Sequence, residues 1–376
     1  LQSLKNGQYD VALFAFERLL IMNPDNPKAL LGMAICYYQL KFYSNAQEIL
    51  EKLQRLHPNH TIKKIVERYL EAISVINRKA KTRVVTYAEI NAGYDSNTNA
   101  ATQLATVFFP EDPPIFLPPT ARAAPSDFTN QLAGVTFMHQ LNESYAFFGN
   151  ISAFNRINTD NVASFNNFSI LNGTSGLGRY VGDWRLFVPL NVQLFYLNGQ
   201  IFRRLLNTSI EVGRNVKSHY VSLSLHSHFL KYFPQSDRDS HFFELVGNGV
   251  YRPLNYPVEI ATRLIAAQGH AIDPTFDDLI RGYYGVNVIA KWTNILHHTP
   301  FISVFYQYSH FNSEHFLFLK TRSDNLRNIV IGWDWHLNKH FTVTPSASYS
   351  LNKSNINLFS FEKYIAQIGL KYQLSN

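Results

Sequence analysis

Hydrophobic positions follow two different periods along this chain. Through about residue 80 they recur every three or four residues, the spacing of helices that bury one face. From Arg83 the period drops to two. In the first such run Thr86, Ala88, Ile90, Ala92 and Tyr94 fall on one side, and Tyr87, Glu89, Asn91, Gly93 and Asp95 on the other. Later runs repeat the pattern. Val221, Leu223, Leu225 and Phe229 oppose Tyr220, Ser222, Ser224, His226 and His228; Val258, Ile260, Leu264 and Ala266 oppose Glu259 and Arg263. Ile329, Ile331, Trp333 and Trp335 oppose Asn328, Gly332, Asp334 and His336. Successive side chains of a strand point to opposite faces, so each run predicts a strand with one greasy and one polar face. About fourteen strands are expected, most about ten residues or longer, the length that crosses a bilayer at a tilt. The change of period, near residues 78–83, divides a helical domain at 1–80 from a strand domain at 83–376.

The helical part repeats itself. Tyr9, Ala12, Phe16, Leu19 and Pro24 recur 34 positions later as Tyr43, Ala46, Leu50, Leu53 and Pro58. Leu30, Ala34 and Tyr37, between the two copies, have the spacing of the other helix in a helix–turn–helix unit. The alanines let helices approach closely while the large residues fill the groove between them. Asn23-Pro24 and His57-Pro58 end their helices because proline cannot continue one. The pattern resembles the tetratricopeptide repeat over about one and a half units, with a further helix at about 62–77. Such units need about three copies to bury their faces, and the chain opens in mid-pattern at Leu1-Gln2-Ser3. More repeats are therefore expected before Leu1, and the lack of a signal peptide says nothing about export. Lys28, Leu31, Ile35 and Tyr38 fall on the inner face of the complete repeat, as a groove for a peptide or as packing against neighbouring helices.

With the helical domain in the periplasm, the first strand rises to the outside. Every link after an odd-numbered strand is then extracellular and expected to be longer. The first, roughly 95–126, is long and proline-rich, and the seventh runs from Phe233 to Ser240. Even-numbered links are tight: Leu141-Asn142-Glu143, Val181-Gly182-Asp183, Arg252-Pro253-Leu254-Asn255 and Leu337-Asn338-Lys339. An even strand count returns the end of the barrel to the periplasm. In the last strand Gln367 is followed by Gly369 and then by hydrophobic residues at Tyr372 and Leu374. That spacing resembles the C-terminal signal read by the barrel-assembly machinery, although Ser375 and Asn376 follow where many such proteins end on Phe.

Composition agrees with a membrane setting. Charged residues are 16% of the chain and aromatic residues 14%, against roughly 25% charged in soluble domains. No run approaches the ~18 apolar residues of a spanning helix, which leaves a strand-built crossing open. The net charge of +7 is dispersed, with only short runs such as Arg78-Lys79-Ala80-Lys81, so nucleic acid is not an expected partner. Cys36 is the single cysteine; it excludes an internal disulfide or cysteine cluster and is expected to pack as a small hydrophobe.

Candidate chemistry is sparse. His226 and His228 share a strand face, a spacing that suits a metal, but a third ligand is not visible and a lumen-lining polar pair is the expectation. His297-His298 falls in a turn and reads the same way. Glu259 and Arg263 project inward about 13 Å apart along one strand, as members of a lumenal charge network rather than an acid–base pair. Nucleophile elbows, phosphate loops and His-Glu-x-x-His are lacking, so no enzyme, metal site or cofactor is expected. Dispersed rim residues, as in outer-membrane proteases and lipases, are what periodicity leaves open. Gly93-Tyr94-Asp95-Ser96-Asn97-Thr98-Asn99 closes the first strand; Asp and Asn side chains favour turns by bonding nearby backbone, and a calcium site is the alternative.

A tetratricopeptide domain fused to a transmembrane antiparallel β-barrel of about 14 strands resembles the surface lipoprotein assembly modulator family. Residues 93–99 look like a stretch common in that family. The resemblance implies outer-membrane lipid around the barrel and a lipoprotein or secreted-protein cargo moved to the cell surface. It also implies a periplasmic chaperone or the barrel-assembly machinery as further partners. The repeat groove around Lys28, Leu31, Ile35 and Tyr38 would recruit cargo, and Glu89, Asn91, His226, His228, Glu259 and Arg263 would line the path. A polysaccharide-export porin or a passive channel is the alternative within the same architecture.

Overall fold

The computed structural model describes residues 9–56, 58–79, 82–111, 113–253, 256–293 and 297–375. The chain forms two compact units that divide between Lys81 and Thr82. Leu1-Gln2-Ser3, His57, Ala80-Lys81 of the basic run, and Leu254-Asn255 of one expected turn lie outside the described residues.

The first unit contains helices α1 (Tyr9–Met22), α2 (Pro27–Gln39), α3 (Tyr43–Arg55) and α4 (His60–Lys79). Asn26 starts α2: its carboxamide oxygen accepts from the backbone N–H of Lys28 and of Ala29, and Pro27 holds the first helical position. The repeat seen in the sequence is physical. Tyr9 and Tyr43 open α1 and α3, and Ala12, Phe16, Ala46 and Leu50 are buried. The copies diverge at the last turn, where Leu19 is 49% exposed while Leu53 is wholly buried in a cluster with Val66 and Ile73 of α4. Cys36 is buried and reduced, packed with Ala12, Phe16, Ala29 and Met33.

The second unit is a closed antiparallel barrel. Its strands, among the described residues, are β1 (Thr82–Asp95), β2 (Ser126–Gln140), β3 (Tyr145–Asn158), β4 (Phe168–Val181), β5 (Trp184–Leu197), β6 (Gln200–Val216), β7 (His219–Tyr232), β8 (Ser240–Tyr251), β9 (Val258–Ala271), β10 (Arg281–Trp292), β11 (His298–His315), β12 (Lys320–His336), β13 (Phe341–Ser354) and β14 (Phe361–Ser375). Each pairs with its neighbour in sequence. The wall closes where β1 pairs with β14, from Val85 opposite Ser375 to Asp95 opposite Ile365. Gly369 of β14 comes against the Asn91 amide oxygen of β1, and an added Cβ would have to push that side chain aside. The glycine of the C-terminal pattern thus serves the seam.

Sidedness is inverted relative to a soluble protein. Ile90, Ile151, Leu223, Leu264, Ile331 and Ile368 are each more than half exposed on the outer face. Exposed aromatics collect near both rims: Trp184, Trp292, Trp335 and Tyr372 near the rim of the even links, Tyr94, Phe229, Tyr284 and Tyr364 near the other. An apolar band between two aromatic girdles on a closed, hydrogen-bonded wall of strands is a transmembrane β-barrel of the outer-membrane type. The opposite face turns hydroxyls and amides inward, as along β13 with Thr342, Thr344, Ser346, Ser348, Ser350 and Asn352.

One expectation about the links fails. The fifth link, expected to be long, is the two-residue turn Asn198-Gly199, with φ of 47° and 80°. Two consecutive left-handed residues make the tight turn whose twist matches a hairpin, and Asn-Gly reaches them at low cost. The eleventh link, residues 316–319, is also short. The first link is the longest and carries a small ribbon, Thr106–Val107 against Ile115–Phe116. Single 3-10 turns stand in the third, seventh, ninth and thirteenth links, all at this same rim.

Candidate functional site

In the helical unit the four groove residues separate into two kinds. Tyr38 packs its ring edge-on to Tyr43 of α3 at 5.5 Å and to Tyr69 of α4 at 5.0 Å. Leu31 also packs against the buried cluster. Both therefore tie helices together whatever else they do. Ile35 is half-buried, and Lys28 is exposed. Next to them, burial pushes the Tyr37 hydroxyl up to about 12, reinforced by Glu17 and Glu48.

In the barrel, the strand alternation places all six lumenal candidates on the inner face. The Asn91 amide donates to Glu89 at 3.0 Å. Glu259 and Arg263 are not paired with each other; each has its own partner, on a different strand or link. Glu259 pairs with Arg252 at 2.7 Å, and Arg263 with Glu244 at 3.5 Å. Glu244 also accepts a 2.7 Å hydrogen bond from the Tyr283 hydroxyl. The rings of His226 and His228 lie parallel, 5.7 Å apart, with Ser224 Oγ 2.8 Å from His226 Nε2. Glu244 stands opposite His226 in the β7–β8 register. Among the described residues no group of three or more His, Cys, Asp or Glu side chains is arranged to hold a metal ion.

The segment closing β1 is a fastening. Asp95 is wholly buried, and its carboxylate takes Arg156 of β3 at 2.6 Å and Lys363 of β14 at 2.9 Å. Its other oxygen accepts the Asn97 backbone N–H. The Asn97 amide donates to the carbonyls of Ala101 and Glu362, the latter on β14, and its oxygen accepts the Ala101 N–H. Asn99 donates to the Arg122 carbonyl and accepts from Ala124 N–H, folding the first link back. The turn reading of this segment is supported, and the carboxylate that calcium would need is already taken by two cations.

At the odd-link rim the barrel holds a cavity of about 1150 Å³ between β6–β12 and the seventh, ninth and eleventh links. Its cations are Arg203, Arg238, Arg281 and Arg322, and its acids Asp237, Glu244, Asp278 and Glu314. The Arg322 guanidinium lies 3.5 Å from the Phe359 ring centroid and is paired with Asp324. The ninth link enters this wall as the 3-10 segment Pro274–Leu279. Asp273 caps that segment through Thr275, whose hydrogen bonds hold the Asp273 carboxyl below its ordinary range. Asn312 of β11 ties it down through Asp277.

Comparison with known proteins bears on each unit separately. Residues 3–66 match the tetratricopeptide repeat family. The tetratricopeptide unit is thus recognised by sequence as well as by its helices. No curated protein matches the chain. Among solved structures the barrel is similar to OmpT of Vibrio cholerae, at 10% identity and a TM-score of 0.45, over 78% of this chain and 98% of that one. It is also similar to OmpF of Salmonella typhi in complex with daunomycin, at 12% identity and a TM-score of 0.43, over 79% and 99%. An anion-selective porin from Comamonas acidovorans gives 8% identity and a TM-score of 0.44, over 78% and 99%.

Sequence reading missed Arg156, Lys363, Glu244 and Tyr283, which act across strands, the partners of Asp95, and the arginines that line the cavity. Period-two alternation gives the face of strand residues. Nothing in a single sequence assigned their partners.

Proposed function

We propose that this protein is an outer-membrane secretion factor that moves a lipoprotein or other protein cargo to the cell surface. The tetratricopeptide unit would lie in the periplasm and recruit that cargo, with the odd-link rim outside. The observation that carries this reading is the union, in one polypeptide, of a repeat unit with a closed transmembrane barrel. Stacked helical repeats present extended concave faces suited to peptide segments, and a solute pore has no need of one. The action is physical: capture on the repeats, then passage along an inner wall of amides, hydroxyls and the paired charges Glu244–Arg263 and Glu259–Arg252.

The test is deletion of residues 1–80 in the producing cell, with quantitative labelling of surface proteins. The expected outcome is loss of at least one surface protein while the barrel remains in the outer membrane. An unchanged surface proteome would defeat the recruiting role. A second reading, a polymer exporter or passive channel, is favoured by the hydroxyl- and amide-lined wall of β13. Large, steady single-channel conductance of the purified full chain without partners would select it.

A further inference from the structure

We propose that Arg204 and Lys231, on the lipid-facing side of the odd-link rim, form a seat for the phosphate of a membrane lipid. Arg204 of β6 and Lys231 of β7 stand directly opposite each other in the strand register, and both are exposed. Each lies two residues from a member of the Leu206–Phe229 pair, which is exposed on the outer face, so alternation puts both cations on that face too. At about 3.3 Å per residue they stand roughly 7 Å further along the strands toward the rim. Phe229 belongs to the aromatic girdle, so the two charges sit at the level of lipid headgroups rather than of acyl chains.

Like charges directly opposite on neighbouring strands are destabilising, and here both heads lie on one ring. The Phe233 centroid is 5.0 Å from the Arg204 guanidinium carbon and 5.7 Å from Lys231 Nζ. Neither cation makes an ion pair among the described residues. Asp239, at the end of the adjoining link, accepts the Tyr232 backbone N–H at 2.6 Å and pairs with neither. Asp237 and Arg238 of that link line the inner cavity instead. At the even-link rim Arg179 and Arg214 lie singly, each over its own ring, Tyr145 and Trp184. A guanidinium and an ammonium that converge with no anion between them match a doubly charged phosphate monoester. The planar fork of the arginine takes two oxygens and the lysine adds a point charge. Toward the membrane centre, Leu206, Phe229, Ile210 and Leu225 give the acyl chains of the same lipid an exposed apolar surface. This inference stands whichever cargo the barrel moves.

The experiment titrates the purified full chain in neutral detergent with dioleoyl phosphatidic acid and, separately, dioleoyl phosphatidylcholine, reading bound lipid by native mass spectrometry. Saturable binding of phosphatidic acid, tighter than that of phosphatidylcholine, is expected. Arg204→Gln and Lys231→Gln should each weaken it about fivefold, and the double variant about thirtyfold. Lys353→Gln, which removes an exposed cation elsewhere at the same rim, should leave it unchanged. Phosphatidylcholine bound as tightly, or no binding of phosphatidic acid, would overturn the phosphate seat. An equal loss in Lys353→Gln would reduce the effect to general charge and overturn the site. Displacement by inorganic phosphate at equal concentration would overturn the lipid as its ligand. Folding of each variant is checked by heat-dependent gel mobility, and the wild-type comparison of the two lipids decides the matter even if a variant fails to fold.

Discussion

Asp95 shows how one carboxylate holds together segments far apart in the chain. It has no exposure to solvent and neutralises Arg156 and Lys363, themselves nearly buried. Removing one member of such a group leaves the others as uncompensated buried charges, at a cost of about 3–5 kcal/mol. Asp95→Asn keeps the shape and the bond to Asn97 N–H but strands two cations. We expect a lower midpoint in the heat-dependent mobility shift of the folded barrel. An unchanged midpoint would mean that the cations find solvent or new partners. By the same reasoning Arg156→Met with Lys363→Met, which removes the cations as well, should accompany Asp95→Asn with a smaller loss than Asp95→Asn alone.

Among the elements, strands and links were legible to different degrees. Ile329, Ile331, Trp333 and Trp335 could be assigned to the lipid face from the sequence because a pleat forces alternation, and all four are 45–55% exposed there. Helix α4 was foreseen at 62–77 and runs from His60 to Lys79. The lumenal candidates from Glu89 to Arg263 take their face from the same alternation. Their partners were hidden, because pairing such as Glu244 with Tyr283 depends on strand order and register, which hydrophobic period does not encode. Link length was misread at Asn198-Gly199, where local turn chemistry overrides any rule about the side of the membrane. Orientation can be tested on the links themselves. A short epitope inserted between Phe109 and Glu111 of the first link should be detected on intact cells; one inserted at Gly182-Asp183 should appear only after the outer membrane is opened. The reverse pattern would invert the proposed orientation.

At the scale of the molecule, the barrel's stability in lipid rests on an unbroken apolar exterior. Ile331 is 55% exposed on that surface, in the middle of a strand. Ile331→Arg should cost about 2–4 kcal/mol at the bilayer midplane, read as a lower denaturant midpoint for refolding into vesicles. Ser348→Arg on the inner face should leave that midpoint within about 1 kcal/mol of wild type. Equal losses at the two positions would contradict the assigned sidedness.

The seam has a consequence for the order of assembly. The chain emerges from synthesis with Asp95 early, Arg156 later and Lys363 near the very end. A barrel stopped short of β14 leaves the Asp95–Arg156 pair at an open edge, without the lysine, without the Glu362 carbonyl that receives Asn97, and with every β1 edge donor unpaired. In a solvent of hydrocarbon such an intermediate has no comfortable resting place. Truncated chains should therefore be poor at persisting as half-built walls and good substrates for degradation. On this expectation, the residues that fasten the finished cylinder would also report, during its construction, that the last strand has arrived.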